Sequence, residues 1–404
     1  MSDAEEDWTV RFVRTAIASL LLASVLPLVL TVDGILAASY PLSPSDSAVQ
    51  AALDYLRGQQ SSDGDIGGFG NSAFVCMAVA AAGENPDLWV NGGPSLVDYL
   101  KAGPADMSGE FNMGTFLSRM VLAAVAAGES PSAFGSWSGA HLGVTVTDGD
   151  YLGALKSLHN GTQFLQDLTG DPDSAETLND DFWGVRALIV AGESPSSALV
   201  QSAVQFIIDN QEADGGWTWG TASHTWYMPD SSDVDNTAAA LVALCLAGQD
   251  GVSVADGLTF LSGSQDAGGG FTSIWTGVNV QSTAWAVDAI AAGGGDPTGA
   301  DWTPVASTPI DYLLAQQESD GSFSGMVRST ADVLLSLLGP GGGIRAARAR
   351  PVSVGGEALV VDGVSLLAVP VALCAGLLTA LWIASPSFRR IMRRKSCSRT
   401  RSAL

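Results

Sequence analysis

The chain is poor in lysine, histidine and cysteine, and each shortage removes a class of function. Its 404 residues hold three lysines and three histidines, with 18 Lys and Arg against 42 Asp and Glu and a formal net charge of −24. Between residues 40 and 340 the imbalance is steeper, 35 acidic side chains against 6 basic ones. Such a body repels a phosphate backbone, so nucleic acid is not expected as a partner. His141, His159 and His224 fall in segments with no ligand spacing, and Cys76, Cys245, Cys374 and Cys397 form no CxxC pair. Neither zinc nor a disulfide framework is therefore expected, and nucleophile elbows and phosphate loops are also missing. No metal and no cofactor is assigned. Cys76 and Cys245 lie in apolar runs, where they read as small buried hydrophobes.

What is abundant is apolar and small: 47% of residues are hydrophobic and 47 are glycine. That composition can bury a large core and is far from the charge-dense pattern of disorder.

The two ends differ from the body. Arg11 and Arg14 precede an apolar stretch at residues 16–32, then small residues near Ala37 and Ala38, which reads residues 1–38 as a signal peptide or uncleaved signal anchor. Residues 364–384 carry no charge, and roughly 20 such residues span a hydrocarbon core as a helix. The seven Arg and Lys in residues 385–404 place that tail on the cytoplasmic side. Residues 342–362 read as a linker. The expectation is a single-pass cell-membrane protein with its body extracellular, or a two-pass one if the signal stays.

Within the body, residues 45–341, internal repetition dominates. Apolar helices close on Ala-Gly-Glu-Asn-Pro or Ala-Gly-Glu-Ser-Pro at Gly83, Gly128 and Gly192, with looser versions at Gly248 and Gly294. Glycine supplies the left-handed C-cap and the following proline forbids continuation. A second element precedes each closing helix. In the fourth repeat Phe206 and Ile207 are followed by Gln211, Gly215 and Trp217; the fifth has Gln265, Gly269 and Phe271, and the sixth Gln317, Gly321 and Phe323. The first has Gln60 and Gly64 with its aromatic displaced to Phe69, while the second and third are worn, with Pro104 where glutamine is expected.

These residues resemble the QW repeat of the terpenoid cyclase and protein prenyltransferase superfamily, squalene-hopene cyclases included, over most of the body. The resemblance implies an all-α fold, a single α/α toroid of about six helical hairpins, followed here by the C-terminal membrane helix. It also implies that each glutamine at the end of an outer helix meets the aromatic at the start of an inner one.

Residues 215–244 carry the sharpest resemblance, to the class II triterpene cyclase segment that leads to a DxDDTA motif. The motif stands as Asp233-Val234-Asp235-Asn236-Thr237-Ala238. The family's central aspartate protonates a double bond or epoxide, which implies that role for Asp235, with Asp233 flanking it and Asn236 replacing the last carboxylate. The alternative is that Asp235, Asn236 and Thr237 only cap an inner helix, as Asn, Ser and Thr do in other repeats. Trp183, Trp226, Tyr227 and Trp285, with Phe74, Trp219 and Trp275, are candidate aromatics for lining a cavity, where ring faces would stabilise a cation. Asn179, Asp235, Gln281 and Arg328 are expected to form a polar rim at one mouth of the ring. Two functions remain open. One is a non-enzymatic, cell-surface binding module for a small molecule, an isoprenoid lipid or a surface protein. The other is a cyclase-like isomerase or lyase acting on an isoprenoid lipid through Asp235.

Overall fold

The structure, a computed structural model, describes residues 39–339 with the exception of Asp230. The signal, linker, membrane span and basic tail expected at 1–38, 342–362, 364–384 and 385–404 lie outside the described residues. Among the described residues no helix is long and apolar enough to cross a membrane.

Among the described residues twelve α-helices run as six hairpins, interrupted by short 3-10 turns. The first three pairs are α1 (Ser47–Gly58) with α2 (Phe69–Ala81), α3 (Leu96–Ala102) with α4 (Met113–Ala126), and α5 (Tyr151–Ser157) with α6 (Asn179–Val190). The last three are α7 (Ala198–Asp209) with α8 (Val234–Leu246), α9 (Val252–Ser264) with α10 (Val280–Ala292), and α11 (Pro309–Ala315) with α12 (Val327–Leu337). The even-numbered helices pack each on the next, and α12 packs back on α2, which closes a ring. Each odd-numbered helix lies outside, against the inner helix that precedes it, and α1 covers α12. The expected toroid of six repeats is present. The all-α expectation needs one correction: two antiparallel ribbons, β1 (Gly139–His141) with β2 (Val144–Val146) and β3 (Phe271–Ser273) with β4 (Gly277–Asn279), stand between helices.

Pattern explains the two layers. Outer helix α1 buries Val49, Ala52, Leu53 and Leu56, and α7 buries Val200, Ala203, Val204 and Ile207. Both follow the i, i+3, i+4, i+7 stripe of a helix covered on one side only. Inner helices such as α8 bury side chains almost all round, and their alanines permit close helix approach. The five predicted glycine caps, Gly83, Gly128, Gly192, Gly248 and Gly294, are all left-handed, with φ between 79° and 99°, and Gly339, not predicted, joins them at 94°. In the first five, the next residue's amide reaches back to a carbonyl of the last turn, as from Glu193 to Leu188 at 2.9 Å. This is the wrap that satisfies orphan carbonyls at a helix end.

The repeat glutamines join neighbouring hairpins through carbonyls and not through rings. Gln60 Nε2 donates to Trp89 O at 2.8 Å, Gln211 Nε2 to Ser253 O at 2.9 Å, and Gln265 Nε2 to Trp302 O at 3.0 Å. Gln317 Nε2 donates to Ala48 O at 2.8 Å, which ties the sixth repeat to the first. The last three also donate to the carbonyl of the glycine four residues on. The expected meeting of glutamine and aromatic is made by the backbone, where Gln265 bridges Phe271 and Gln317 bridges Phe323; the side-chain amide directs its two N–H groups to backbone acceptors. The aromatic is fixed separately, through its own amide. The Trp217, Phe271 and Phe323 amides donate to the hydroxyls of Thr237, Thr283 and Thr330 at 2.9 to 3.0 Å. In the first repeat the corresponding amide belongs to Ile66, bonded to Ser72 Oγ; Phe69, the aromatic expected there, instead packs on Tyr99 and Phe116.

The third repeat is less worn than its sequence suggests. His159 occupies the glutamine position, pairs with Phe164 across the turn, and places Nε2 3.0 Å from Ser202 Oγ on the next outer helix. Asp181 replaces the threonine and accepts the Phe164 amide at 2.8 Å. Beside it Asp180 is fully buried, and its oxygens make no hydrogen bond of normal geometry, with Thr177 and Asn112 as polar neighbours. Burial pushes both carboxyls well above the usual range, and the Asp180 charge raises Asp181 further.

Two outcomes follow from these contacts. Gln317→Ala leaves the Ala48 and Gly321 carbonyls without their donor and should lower unfolding stability by about 1–2 kcal/mol in urea titrations; an unchanged midpoint would show that the closing bond contributes nothing. Asp180→Asn should act with pH. Because the folded state holds the Asp180 proton more tightly than the unfolded chain does, native stability falls as pH rises above about 4. The amide carries no such cost, so the variant's Tm should exceed the native one by a few degrees at pH 7.5, with the gap closing at pH 4.

Candidate functional site

The inner helices surround a narrow chamber. From α2 come Phe74 and Met77, from α6 Phe182, Trp183 and Arg186, and from α8 Ala238, Ala239 and Val242; α10 gives Trp285 and Asp288, and α12 gives Asp332 and Leu335. Counted out to solvent, the space among these side chains is about 520 Å³, but room for the centres of water-sized spheres is only about 30 Å³. That admits one or two waters. Trp183 meets the edge of Trp285 at 5.7 Å and of Phe74 at 5.8 Å between ring centroids. The wall is therefore one continuous aromatic surface on three helices.

Asp235 lies on the face of α8 that lines the chamber, because residues 235, 238, 239 and 242 follow the i, i+3, i+4, i+7 spacing. The helix cap is Asp233: its Oδ1 accepts the Asn236 amide at 2.9 Å and its Oδ2 the Asn236 side chain. Thr237 is engaged by the Trp217 amide. The capping alternative for Asp235 is thus corrected, since Asp233 already fills that place. Asp235 Oδ1 is buried with no hydrogen-bond partner. Burial lifts the Asp235 carboxyl to about 6, a bond from Ser282 opposes this, the charges of Asp233 and Asp332 add to it, and Arg328 pulls it down. Asp233 is also raised by burial, against its bonds to Asn236 and the backbone.

The expected rim is partly assembled. Asp332 Oδ2 accepts from Arg328 Nε at 2.8 Å and from Gln281 Nε2 at 3.1 Å, so Gln281 and Arg328 meet around a carboxylate that Asp235 also senses. The Arg328 guanidinium lies 3.4 Å from the centre of the Phe74 ring, a cation–π contact that holds it over the aromatic wall.

Of the expected aromatics, Phe74, Trp183 and Trp285 line the chamber and the loop residues do not. Trp226 is 73% exposed and Trp275 61% exposed. Tyr227 donates its hydroxyl to Glu212 at 2.9 Å, and Trp219 packs on His224. Position in a loop before an inner helix left these rings outside, whereas position inside the helix turned rings inward. Sequence reading missed Arg186, Asp288 and Asp332. Their signal was a single charge inside an otherwise apolar run, three or four residues beyond a first-turn aromatic or polar group. Burial raises the Asp288 carboxyl to about 7, with Arg186 opposing and Asp332 adding.

Because Asp332 raises Asp235 by like charge and also occupies Arg328, Asp332→Asn should lower the Asp235 pKa. Carboxyl-carbon NMR titration reads this directly; an upward or absent shift would remove Asp332 from the site's electrostatics.

No family model matches the chain, and no curated protein matches it. Among solved structures, the chain is similar to the type II terpene cyclase MstE from Scytonema at 14% identity and TM-score 0.49, covering 72% of this chain and 96% of that one. It is similar to a protein from Actinoplanes at 16% identity and TM-score 0.46, covering 75% and 99%. Its likeness to ent-copalyl diphosphate synthase from Streptomyces platensis, at 16% identity and TM-score 0.44, covers 67% of this chain and 50% of that one.

Proposed function

We propose that the ring binds an isoprenoid-type chain in its lumen and that Asp235 protonates it, in the manner of a class II terpene cyclase. The observation that carries this reading is the orphaned Oδ1 of Asp235, buried one helical turn from Ala238 and Ala239 in the wall of the aromatic-lined chamber. A carboxyl raised to about 6 keeps its proton over a useful part of the acidic range, and burial together with like charges is how a site makes such an acid. In the reaction the Asp235 O–H bond breaks, a C–H bond forms at one alkene carbon, and positive charge is left on the other. The rings of Trp183 and Trp285 suit that charge, Phe74 being already covered by Arg328, while Asn236 holds the neighbouring Asp233 and not Asp235 itself. A later C–H bond breaks and returns a proton to the carboxylate, so that the substrate is isomerised without a co-reactant.

A second reading, a non-enzymatic binding module, is favoured by the narrowness of the lumen, which a chain substrate enters only by displacing side chains. The placement of the ring outside a membrane, anchored by residues 364–384, is proposed from the sequence.

Incubation with squalene and shorter polyprenols tests the first reading. Wild-type protein should form cyclised product, and Asp235→Asn, checked for native circular dichroism, should lose roughly 100-fold or more of that rate. Since the acid must be protonated, the wild-type rate should level off below about pH 6 and fall tenfold per unit above it. Product formed equally by Asp235→Asn would refute the acid role; no product from either protein, with a polyprenol still bound, would leave the binding module.

A further inference from the structure

The body has six basic residues between positions 40 and 340, and their partners are unequal. Arg57, Lys101, Arg119, Lys156 and Arg328 each form an ion pair within 3.1 Å. Arg186, the sixth, forms none among the described residues, and its Nε is buried with no hydrogen-bond partner. It lines the chamber, with its guanidinium 5.4 Å from the centre of the Trp183 ring.

The carboxyls nearest it, Asp288 and Asp332, favour its charge from a distance but form no ion pair with it. Asp332 Oδ2 is already engaged by Arg328 and Gln281. Burial favours the neutral form of Asp288, whose pKa stands at about 7. A guanidinium remains charged at any pH a protein survives, and an unpaired one in a closed site is costly to keep. What repays it is an anionic oxygen, which a planar fork of N–H donors fits well.

We infer that the lumen takes an isoprenoid-type chain ending in a carboxylate, that the Arg186 guanidinium receives this head, and that the chain lies along the aromatic wall of Phe74, Trp183 and Trp285. This rests on the reading of the lumen as the ligand site and names its substrate class. A carboxylate fits better than a diphosphate, because the chamber is narrow and a single guanidinium balances one negative charge but not the two or three of a diphosphate.

Equilibrium binding to the full chain carrying Asp235→Asn, in which turnover is removed, separates this inference from the acid chemistry. Farnesoic acid, farnesol and farnesyl diphosphate are compared. Farnesoic acid should bind at least tenfold more tightly than either of the others. Arg186→Met should weaken the acid by roughly 10- to 100-fold while leaving farnesol within threefold, which also shows that the variant is folded. Arg186→Lys, which keeps the charge without the fork, should fall between. Equal binding of acid and alcohol, tighter binding of the diphosphate, or a preference that survives Arg186→Met would each overturn the carboxylate assignment and leave the lumen reading standing. Binding of none of the three would overturn both.

Discussion

Everything in this fold depends on ring closure. In each hairpin the outer helix packs on the inner helix of the preceding hairpin more than on its own, so no pair can bury its apolar surface alone. Each outer helix covers the inner helix before it, and α1 covers α12. The last pair is therefore complete only when the first has come round to meet it. The Gln317 bond to Ala48 and the Leu42 amide's bond to the Leu337 carbonyl at 2.9 Å mark the place. Burial supplies the driving force and these bonds fix the register.

Closure also creates the site. Six inner helices that face a common axis must fill it with side chains, and the filling here is not uniform. Alanines on α8 leave space where Trp183 and Trp285 take it up, and the gap that remains has an aromatic wall, a buried acid at its mouth and charged groups deeper in. Mixed polarity of this kind weakens a core, because each buried charge forgoes hydration. Its persistence in one part of one ring is the physical ground for assigning function there and not on the outer surface.

The fold was legible in the sequence because the repeat is written in residues with few alternatives. Left-handed caps need glycine, and the turn carbonyls need a side-chain amide of fixed reach. His159 shows the limit of that legibility: it does the joining of a glutamine, but no pattern built on glutamine finds it. Ile66 likewise holds a position that needs a buried backbone amide more than it needs an aromatic ring. At the site, Asp235 was found through its motif, while the distinction between it and Asp233 as the cap was not, since both carboxylates fit the spacing and only the backbone decides. Arg186, Asp288 and Asp332 were hidden by the apolar character of their helices. Periodicity places a residue on a face, and in a ring the inward face is the one that composition alone cannot separate from core.

The seam between Leu42 and Leu337 gives the ring a mechanical character of its own. Everywhere else neighbouring hairpins are joined by the chain itself; here the link is hydrogen bonds and packing alone. Tension applied through the two ends of the described segment would meet at this one place and load those bonds first. The ring would then open like a clasp, parting α1 from α12 and baring the lumen while the other five junctions stay covalently joined.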